Sequence, residues 1–238
     1  MQPQYLKYVV KSNEKEADRI CTVRLEPLEG EAPQYEAGQF FMIKNTNLPL
    51  EIKPKIKPYS ALHIWRANEL SFGIKIHAQF STGMSVLEAG QEIECAGPYG
   101  FFVLPKEVNT PLVFLAGGIG ITPLITMIEK LALSGHSEKY YLFYSNREEK
   151  DVAYKKELDE LADLNENFEL VYFMTGSCQI DAKNCEMGRI SIEMIKKYVS
   201  EFDSAHFYMC AGKEFLESMQ KNLADSGVLK ERVHVEKW

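Results

Sequence analysis

The sequence predicts an antiparallel β barrel followed by a parallel sheet wrapped by helices, an α/β domain of nucleotide-binding type. Three features carry that expectation. The first half consists of short β-branched and aromatic runs with almost no helical period. In the second half strand-like and helical runs alternate. Between them the apolar run Leu112 to Leu115 leads into Gly117-Gly-Ile-Gly-Ile-Thr-Pro, after which Leu124, Ile125, Met127 and Ile128 recur at helical spacing.

In chain order, Tyr5 to Val10 and Ile20 to Leu25 read as strands separated by polar residues Lys11 to Arg19, and Gln39 to Ile43 as a third. Beyond a Pro- and Lys-rich loop at Asn45 to Pro58, two more strands are expected at Tyr59 to Ile64 and Leu70 to Ile76. A short helix at Thr82 to Leu87 and a sixth strand from Glu92 precede the turn Gly97-Pro-Tyr-Gly. The barrel then closes near Pro105, which places one domain at 1–106 and the other at 107–238. In the second domain strands at Leu112 to Leu115, Tyr140 to Tyr144, Glu169 to Met174 and Ala205 to Cys210 alternate with helices. Those helices are Leu124 to Leu133, Val152 to Leu164, Ile192 to Tyr198 and Lys213 to Ser226, with a last strand at Arg232 to Glu236. A parallel sheet of this kind binds ligands beyond the carboxyl ends of its strands, where the loops after Leu115 and Cys210 lie.

Gly117, Gly118 and Gly120 permit positive backbone dihedrals and leave no side chain in a ligand's way, so several N–H groups can converge on a phosphate. Thr122 stands where an N-cap belongs and Pro123 at the first helical position, aiming the positive end of a helix at the same point. No charge occurs from Val108 to Ile128, but the glycines and proline within that stretch argue against a membrane helix. A glycine turn in a ligand-free core is the bland alternative, and the loop is not the spaced Gly-x-Gly-x-x-Gly pattern.

At 238 residues with a formal charge of −7, the chain has room for two domains and lacks the basic balance of a nucleic-acid binder. The exception is Lys53, Lys55 and Lys57, for which a solvated loop is the default. Five cysteines without a close pair suggest neither a disulfide framework nor a metal or iron–sulfur ligand set. A reducing cytoplasm is the simplest home, and the first residues contain no apolar block of signal-peptide length.

Four stretches now resemble, in the same order, the ferredoxin–NADP reductase family of flavoproteins: Lys57-Pro-Tyr-Ser, Phe80-Ser-Thr-Gly-Met, the Gly117 loop and Tyr208-Met-Cys-Ala-Gly. The resemblance covers nearly the whole chain and implies a six-stranded flavin-binding barrel followed by a Rossmann-like domain. It implies that Lys57, in the place of an arginine, meets flavin pyrophosphate beside Pro58, that Tyr59 packs on the flavin, and that Ser60 lies near its N5. A lysine keeps the charge but loses the bidentate fork. Ser81 or Thr82 would cap a helix pointing at the pyrophosphate, with Ser85 the alternative. Ile74 and Lys75 would border the flavin. Cys210, with Ala211 and Gly212, would reach the nicotinamide, and Glu236 and Trp238 would lie against the flavin as in plant-type relatives. The bland readings are core residues for Tyr59 and Cys210, a plain helix cap for Ser81 and a frayed end for Trp238.

What the resemblance implies is an FAD-containing oxidoreductase that passes a hydride between NADH or NADPH and flavin, with Ser60, Cys210 and Glu236 shaping the contact and no metal required. NADP-binding relatives carry a Ser-Arg pair after the third strand of the second domain. Here that position reads Met174-Thr175-Gly-Ser, with neither an arginine nor an acid beside it, and Arg147, Lys183 or Arg189 would have to supply charge from other loops. NADH is the expected coenzyme. The electron acceptor is expected to be separate: a ferredoxin, an oxygenase, another iron–sulfur protein or a small acceptor such as free flavin. The alternative is a non-catalytic nucleotide-binding or regulatory subunit.

Overall fold

Alternating apolar residues build the first unit as a barrel. In the computed structural model the described residues are 3–49, 51–53, 55–63, 68–177 and 185–237. They fall into two units, Met1–Val103 and Leu104–Trp238, each with its own core.

In the first unit the strands are β1 (Leu6–Ala17), β2 (Ile20–Pro27), β3 (Phe40–Lys44), β4 (Ile56–Leu62), β5 (Leu70–Lys75) and β6 (Glu92–Tyr99). Among the described residues they close a barrel in the order β1-β2-β5-β4-β3-β6, every pairing antiparallel. Val10, Val23, Phe41, Phe72 and Ile93 fill its interior, with the Phe41 and Phe72 rings edge to face at 6.0 Å. β1 is longer than expected. The polar stretch after Val10 continues the strand, pairing Glu14 with Thr22 and Ala17 with Ile20. Such a ribbon needs no apolar alternation where it stands in water, and an Arg24–Glu14 ion pair ties it across the strands at 3.3 Å.

The helix α1 (Gln79–Ser85) begins three residues before the expected Thr82. Phe80 and Met84, one turn apart, enter the barrel core and set this register. Ser81 is therefore the third helical residue rather than the cap, and Thr82 the fourth.

The second unit contains β7 (Leu112–Gly117), α2 (Ile121–Leu133), β8 (Tyr140–Asn146), α3 (Lys155–Leu164), β9 (Phe168–Met174) and β10 (Cys185–Met187). It continues with α4 (Ile192–Tyr198), β11 (His206–Cys210), α5 (Lys213–Asp225) and β12 (Val233–Glu236). Among the described residues the sheet has the order β10-β9-β8-β7-β11-β12, and all pairings are parallel. The chain leaves β7 in one direction for β8 to β10 and then returns to β11 on the other side. The β7/β11 boundary is thus the switch point at which such sheets hold ligands.

One core cluster joins Val113, Phe143, Phe173 and Phe207 to Ile195 of α4 and Leu216 of α5. α2 is buried from Ile121 to Glu129, which explains the long uncharged stretch without a membrane. Among the described residues no helix is long and apolar enough to cross one. Three elements of this unit differ from expectation: β10, a three-residue edge strand, was not anticipated, α2 starts at Ile121 rather than Leu124, and α3 starts at Lys155 rather than Val152, after a 3₁₀ turn at Glu149–Asp151.

Candidate functional site

In the barrel unit, β4 carries Lys57 and Pro58 exposed, Tyr59 half-buried and Ser60 buried, with Ser60 paired to Phe40 of β3. The Tyr59 ring stacks on Phe80 of α1, 6.2 Å between centroids and 19° between planes. That contact joins the Lys57-Pro-Tyr-Ser strand to the Phe80-Ser-Thr helix, two motifs some twenty residues apart in sequence. Burial pushes the Tyr59 phenol well above its ordinary range, so it remains a neutral donor. Ile74 is buried and Lys75 exposed at the end of β5, opposite Cys21 and Ile20.

Ser81 performs capping chemistry from inside the helix. Its Oγ accepts from the backbone N–H groups of His77 and Ala78, both at 3.0 Å, and donates to the Ala78 carbonyl at 2.9 Å. Those two N–H groups are thereby taken, so an anion near α1 would be met chiefly by side chains. A cleft of about 550 Å³ lies there, lined by Arg19, His77, Asn47 and Thr82 and walled by Leu48 and Ile52. Its size and its mixture of one cation, several amides and aliphatic groups fit part of a dinucleotide. Arg19, at the tip of the β1–β2 hairpin, carries a cation into this cleft, whereas Lys57 is not among its lining residues. No motif marks Arg19, because only closure of the barrel brings that hairpin beside α1.

In the second unit the glycine loop has a different rationale from the expected one. Only Gly118 uses a positive φ, at 53°; Gly117 and Gly120 lie at −128° and −61°. What requires glycine at those two positions is the end of β11. A Cβ on Gly120 would lie 2.0 Å from the Cys210 carbonyl oxygen, and one on Gly117 would lie 2.8 Å from the Ala211 Cβ. The Gly117 loop and the Cys210-Ala-Gly turn are therefore pressed together across the switch point.

Thr122 is not the N-cap. Gly120 occupies that position, α2 begins at Ile121, and the buried Thr122 hydroxyl donates to the Ile119 carbonyl at 3.0 Å. Pro123 is the third helical residue, where its missing N–H still costs little. No side chain caps this end of α2, which leaves the start of a thirteen-residue helix beside the loop without a side-chain acceptor.

Cys210 and Ala211 are buried and Gly212 is exposed. Cys210 pairs in register with Ala116 of β7 and with Glu236 of β12. Glu236 is half-buried, and burial raises its carboxyl above the ordinary glutamate range. At the ends of β8 and β9, Arg147 and Thr175 are both exposed and adjoining, the Thr175 N–H donating to the Asn146 carbonyl at 3.0 Å and that of Gly176 to Arg147 at 2.8 Å. Trp238 and Lys183 lie outside the described residues. Asn146, for which no motif stands in the sequence, is 6% exposed and, among the described residues, leaves both side-chain amide atoms without a hydrogen-bond partner at the carboxyl end of β8.

Comparison with known proteins agrees with this geometry. Residues 114–221 match the family described as the oxidoreductase NAD-binding domain. The chain is 25% identical over 236 residues to a flavohemoprotein of Xylella fastidiosa (strain Temecula1), covering 97% of this chain and 58% of that protein. It is 26% identical over 238 residues to the flavohemoprotein of Bacillus subtilis, covering 98% of this chain and 59% of that one. It thus spans a little under three fifths of these relatives. Among solved structures, the flavohem-like FAD/NAD-binding domain of nitric oxide dioxygenase from Vibrio cholerae superposes with a TM-score of 0.86 at 21% identity, covering 98% of both chains. A ferredoxin NADP+ reductase from Neisseria gonorrhoeae gives 0.78 at 17% identity, covering 99% of both. The chain thus has the fold of ferredoxin–NADP reductase-like FAD/NAD-binding proteins along its length, and its second half matches the oxidoreductase NAD-binding domain.

Proposed function

We propose that the chain is an FAD-dependent NADH oxidoreductase that sends electrons to an acceptor outside this stretch of polypeptide. The observation that carries the reading is the packing of the Gly117–Gly120 loop on Cys210 and Ala211 at the switch point of the parallel sheet. Bound flavin supplies the chemistry, accepting a hydride from nicotinamide and releasing electrons one at a time.

The chain's own residues bind and orient. In the barrel unit, Tyr59, braced by Phe80, gives the flavin an apolar wall, and Ser60 presents a buried hydroxyl to it. Arg19, His77 and Thr82 meet phosphate and ribose in the cleft beside α1, and Lys57 in β4 with Ile74 and Lys75 in β5 stand on the strands assigned to the flavin. In the second unit, the Gly118 to Thr122 segment and Pro123 hold the coenzyme pyrophosphate. Cys210 abuts the nicotinamide, and Glu236 in the next strand holds a proton more readily than an exposed glutamate. Arg147 and Thr175 face the adenosine half.

FAD is favoured over FMN because the cleft beside α1, with Arg19 and the amides of Asn45, Asn47, Gln79 and Gln91, has polar groups suited to a second nucleotide half. The acceptor reading follows from the relatives. A protein described as an FAD/NAD-binding domain matches end to end, while the flavohemoproteins continue well past the match. The haem-bearing relatives support a haem protein that takes single electrons as the partner class, with an iron–sulfur protein the other member of the expected set.

The test is the visible spectrum of the purified protein, followed anaerobically as NADH or NADPH is added. The expected result is a flavin band that bleaches with NADH in preference to NADPH. A colourless protein that takes up no added FAD would leave the non-catalytic nucleotide-binding subunit in its place.

A further inference from the structure

The segment after β9, Thr175-Gly-Ser, contains no acid, but packing brings one to it from the neighbouring loop. β8 ends at Asn146, and Arg147 and Glu148 follow. The next turn is closed by the Asp151 N–H donating to the Glu148 carbonyl at 3.0 Å and the Glu148 N–H donating to Asp151 Oδ2 at 3.1 Å. The end of β9 lies against this loop. The Gly176 N–H donates to the Arg147 carbonyl at 2.8 Å, and a Cβ on Gly176 would stand 3.5 Å from Glu148 Cγ. The Glu148 side chain, 33% exposed, therefore sits at the joint carboxyl end of β8 and β9.

Its charge environment is lopsided. Lys150 Nζ binds one carboxylate oxygen at 2.9 Å, while Arg147 Nε stays 4.0 Å from the other. Lys150 first, and Arg147 after it, hold the carboxyl below the ordinary glutamate range, so it is an anion at neutral pH. One oxygen remains only loosely engaged and open to a hydroxyl donor.

A coenzyme whose pyrophosphate rests at the Gly117–Gly120 loop after β7 extends its adenosine over the next strands in the sheet, β8 and β9. We propose that Glu148 accepts hydrogen bonds from the adenosine ribose diol and excludes a 2′-phosphate, making this chain selective for NADH; the inference rests on the coenzyme reading above. The diol offers two O–H donors to a carboxylate. A 2′-phosphate brings like charge against it, and such repulsion is as much a part of specificity as attraction. Without the carboxylate, Arg147 and Lys150 would form a cation pair suited to phosphate. One negative charge between two positive ones decides which coenzyme is admitted.

The experiment is calorimetric titration of the full chain with ADP-ribose and with 2′-phospho-ADP-ribose, for the wild type, Glu148→Gln and Glu148→Thr. These probes need neither turnover nor flavin reduction. The wild type should favour ADP-ribose by roughly tenfold or more, about the size of one partly screened like-charge contact together with the lost diol hydrogen bonds. Both variants should lose most of that preference, Glu148→Gln mainly by binding the 2′-phosphate more tightly. A wild-type ratio near one, or a ratio that neither variant changes, would overturn the role of Glu148 and leave the coenzyme site standing. Failure of the wild type to bind either probe would remove the coenzyme reading itself, and this inference with it.

Discussion

Gly120 fixes how closely the two loops of the second unit approach, because any larger residue collides with the backbone of Cys210 rather than with a flexible side chain. Gly120→Ala should force the end of β11 outward, costing about 1–3 kcal/mol as an overpacking strain and weakening ADP-ribose binding in parallel. Gly212→Ala is the matched stability control: nothing lies within 4 Å of a Cβ there and its φ is −62°. Thermal midpoints should separate the two variants. Equal midpoints would show that the loops part easily. Cys210→Ala removes one buried sulfur while leaving β11 paired on both sides. It should slow flavin reduction by roughly tenfold or more through lost positioning, with flavin content unchanged. Stopped-flow absorbance with NADH measures this, and an unchanged rate would make Cys210 a core residue only. Glu236 gives a pH signature. Its folded carboxyl is raised by burial, so between the ordinary glutamate value and the raised one the folded state holds the extra proton and the unfolded state does not. Stability therefore falls as pH rises through that window, beginning near about pH 4. Glu236→Gln should leave the midpoint unchanged in acid and raise it at neutral pH. A variant that tracks the wild type across the whole range would contradict the sign.

At the scale of the element, β12 shows how the sheet edge that carries Glu236 is pinned. Arg232 donates from Nη1 to the carbonyls of Asp203 and Ala205, at 2.7 and 3.0 Å, locking the turn before β12 onto the start of β11. His234 stacks on Tyr208 with centroids 4.4 Å apart and meets His206 ring nitrogen to ring nitrogen at 3.2 Å. Arg232→Ala loses charge-assisted bonds worth about 1.5–3 kcal/mol and should speed amide exchange in Val233 to Glu236 before the rest of the sheet. Exchange accelerated evenly over both units would indicate global destabilisation instead. Such elements also show what the sequence could tell. α4 appears over the expected Ile192 to Tyr198, and β11 within one residue of expectation, because each has one face committed to a core and its period is written in the chain. α1 was displaced because Ser81 and Thr82 look like caps, whereas the deciding contacts, Phe80 and Met84 in the barrel, are tertiary. The glycine motif was visible but its reason was not: only the structure shows the end of β11 packed against it. Arg19, Asn146 and Glu148 had no motif to announce them, since each gains its place from a neighbouring element rather than from its own sequence context.

At the scale of the whole molecule, the formal charge of −7 bears on which acceptor the chain can approach. Exposed charges act over roughly a Debye length, about 8 Å at physiological salt, so the field steers encounter rather than final fit. An excess of acid favours basic partners and slows acidic ones. Lys53 and Lys57, both exposed, oppose that trend locally on the barrel unit, beside the strand that carries Tyr59 and Ser60. Two dockings thus predict opposite salt dependences. If the net charge governs, reduction of a small basic haem protein by the NADH-reduced enzyme should slow severalfold as ionic strength rises from about 0.01 to 0.2 M, and reduction of an acidic ferredoxin should quicken. If the lysine loop is the docking surface, the ferredoxin rate should fall with salt, and Lys53→Glu with Lys57→Glu should reverse that slope while leaving the rate of flavin reduction by NADH unaltered only for Lys53→Glu, because Lys57 borders the proposed flavin site. We expect the first pattern, since Lys53 before β4 and Lys57 within it are outweighed by the molecule's acidic excess. A ferredoxin rate that falls with salt in the wild type and rises in the Lys53→Glu variant would assign the acceptor face to that loop.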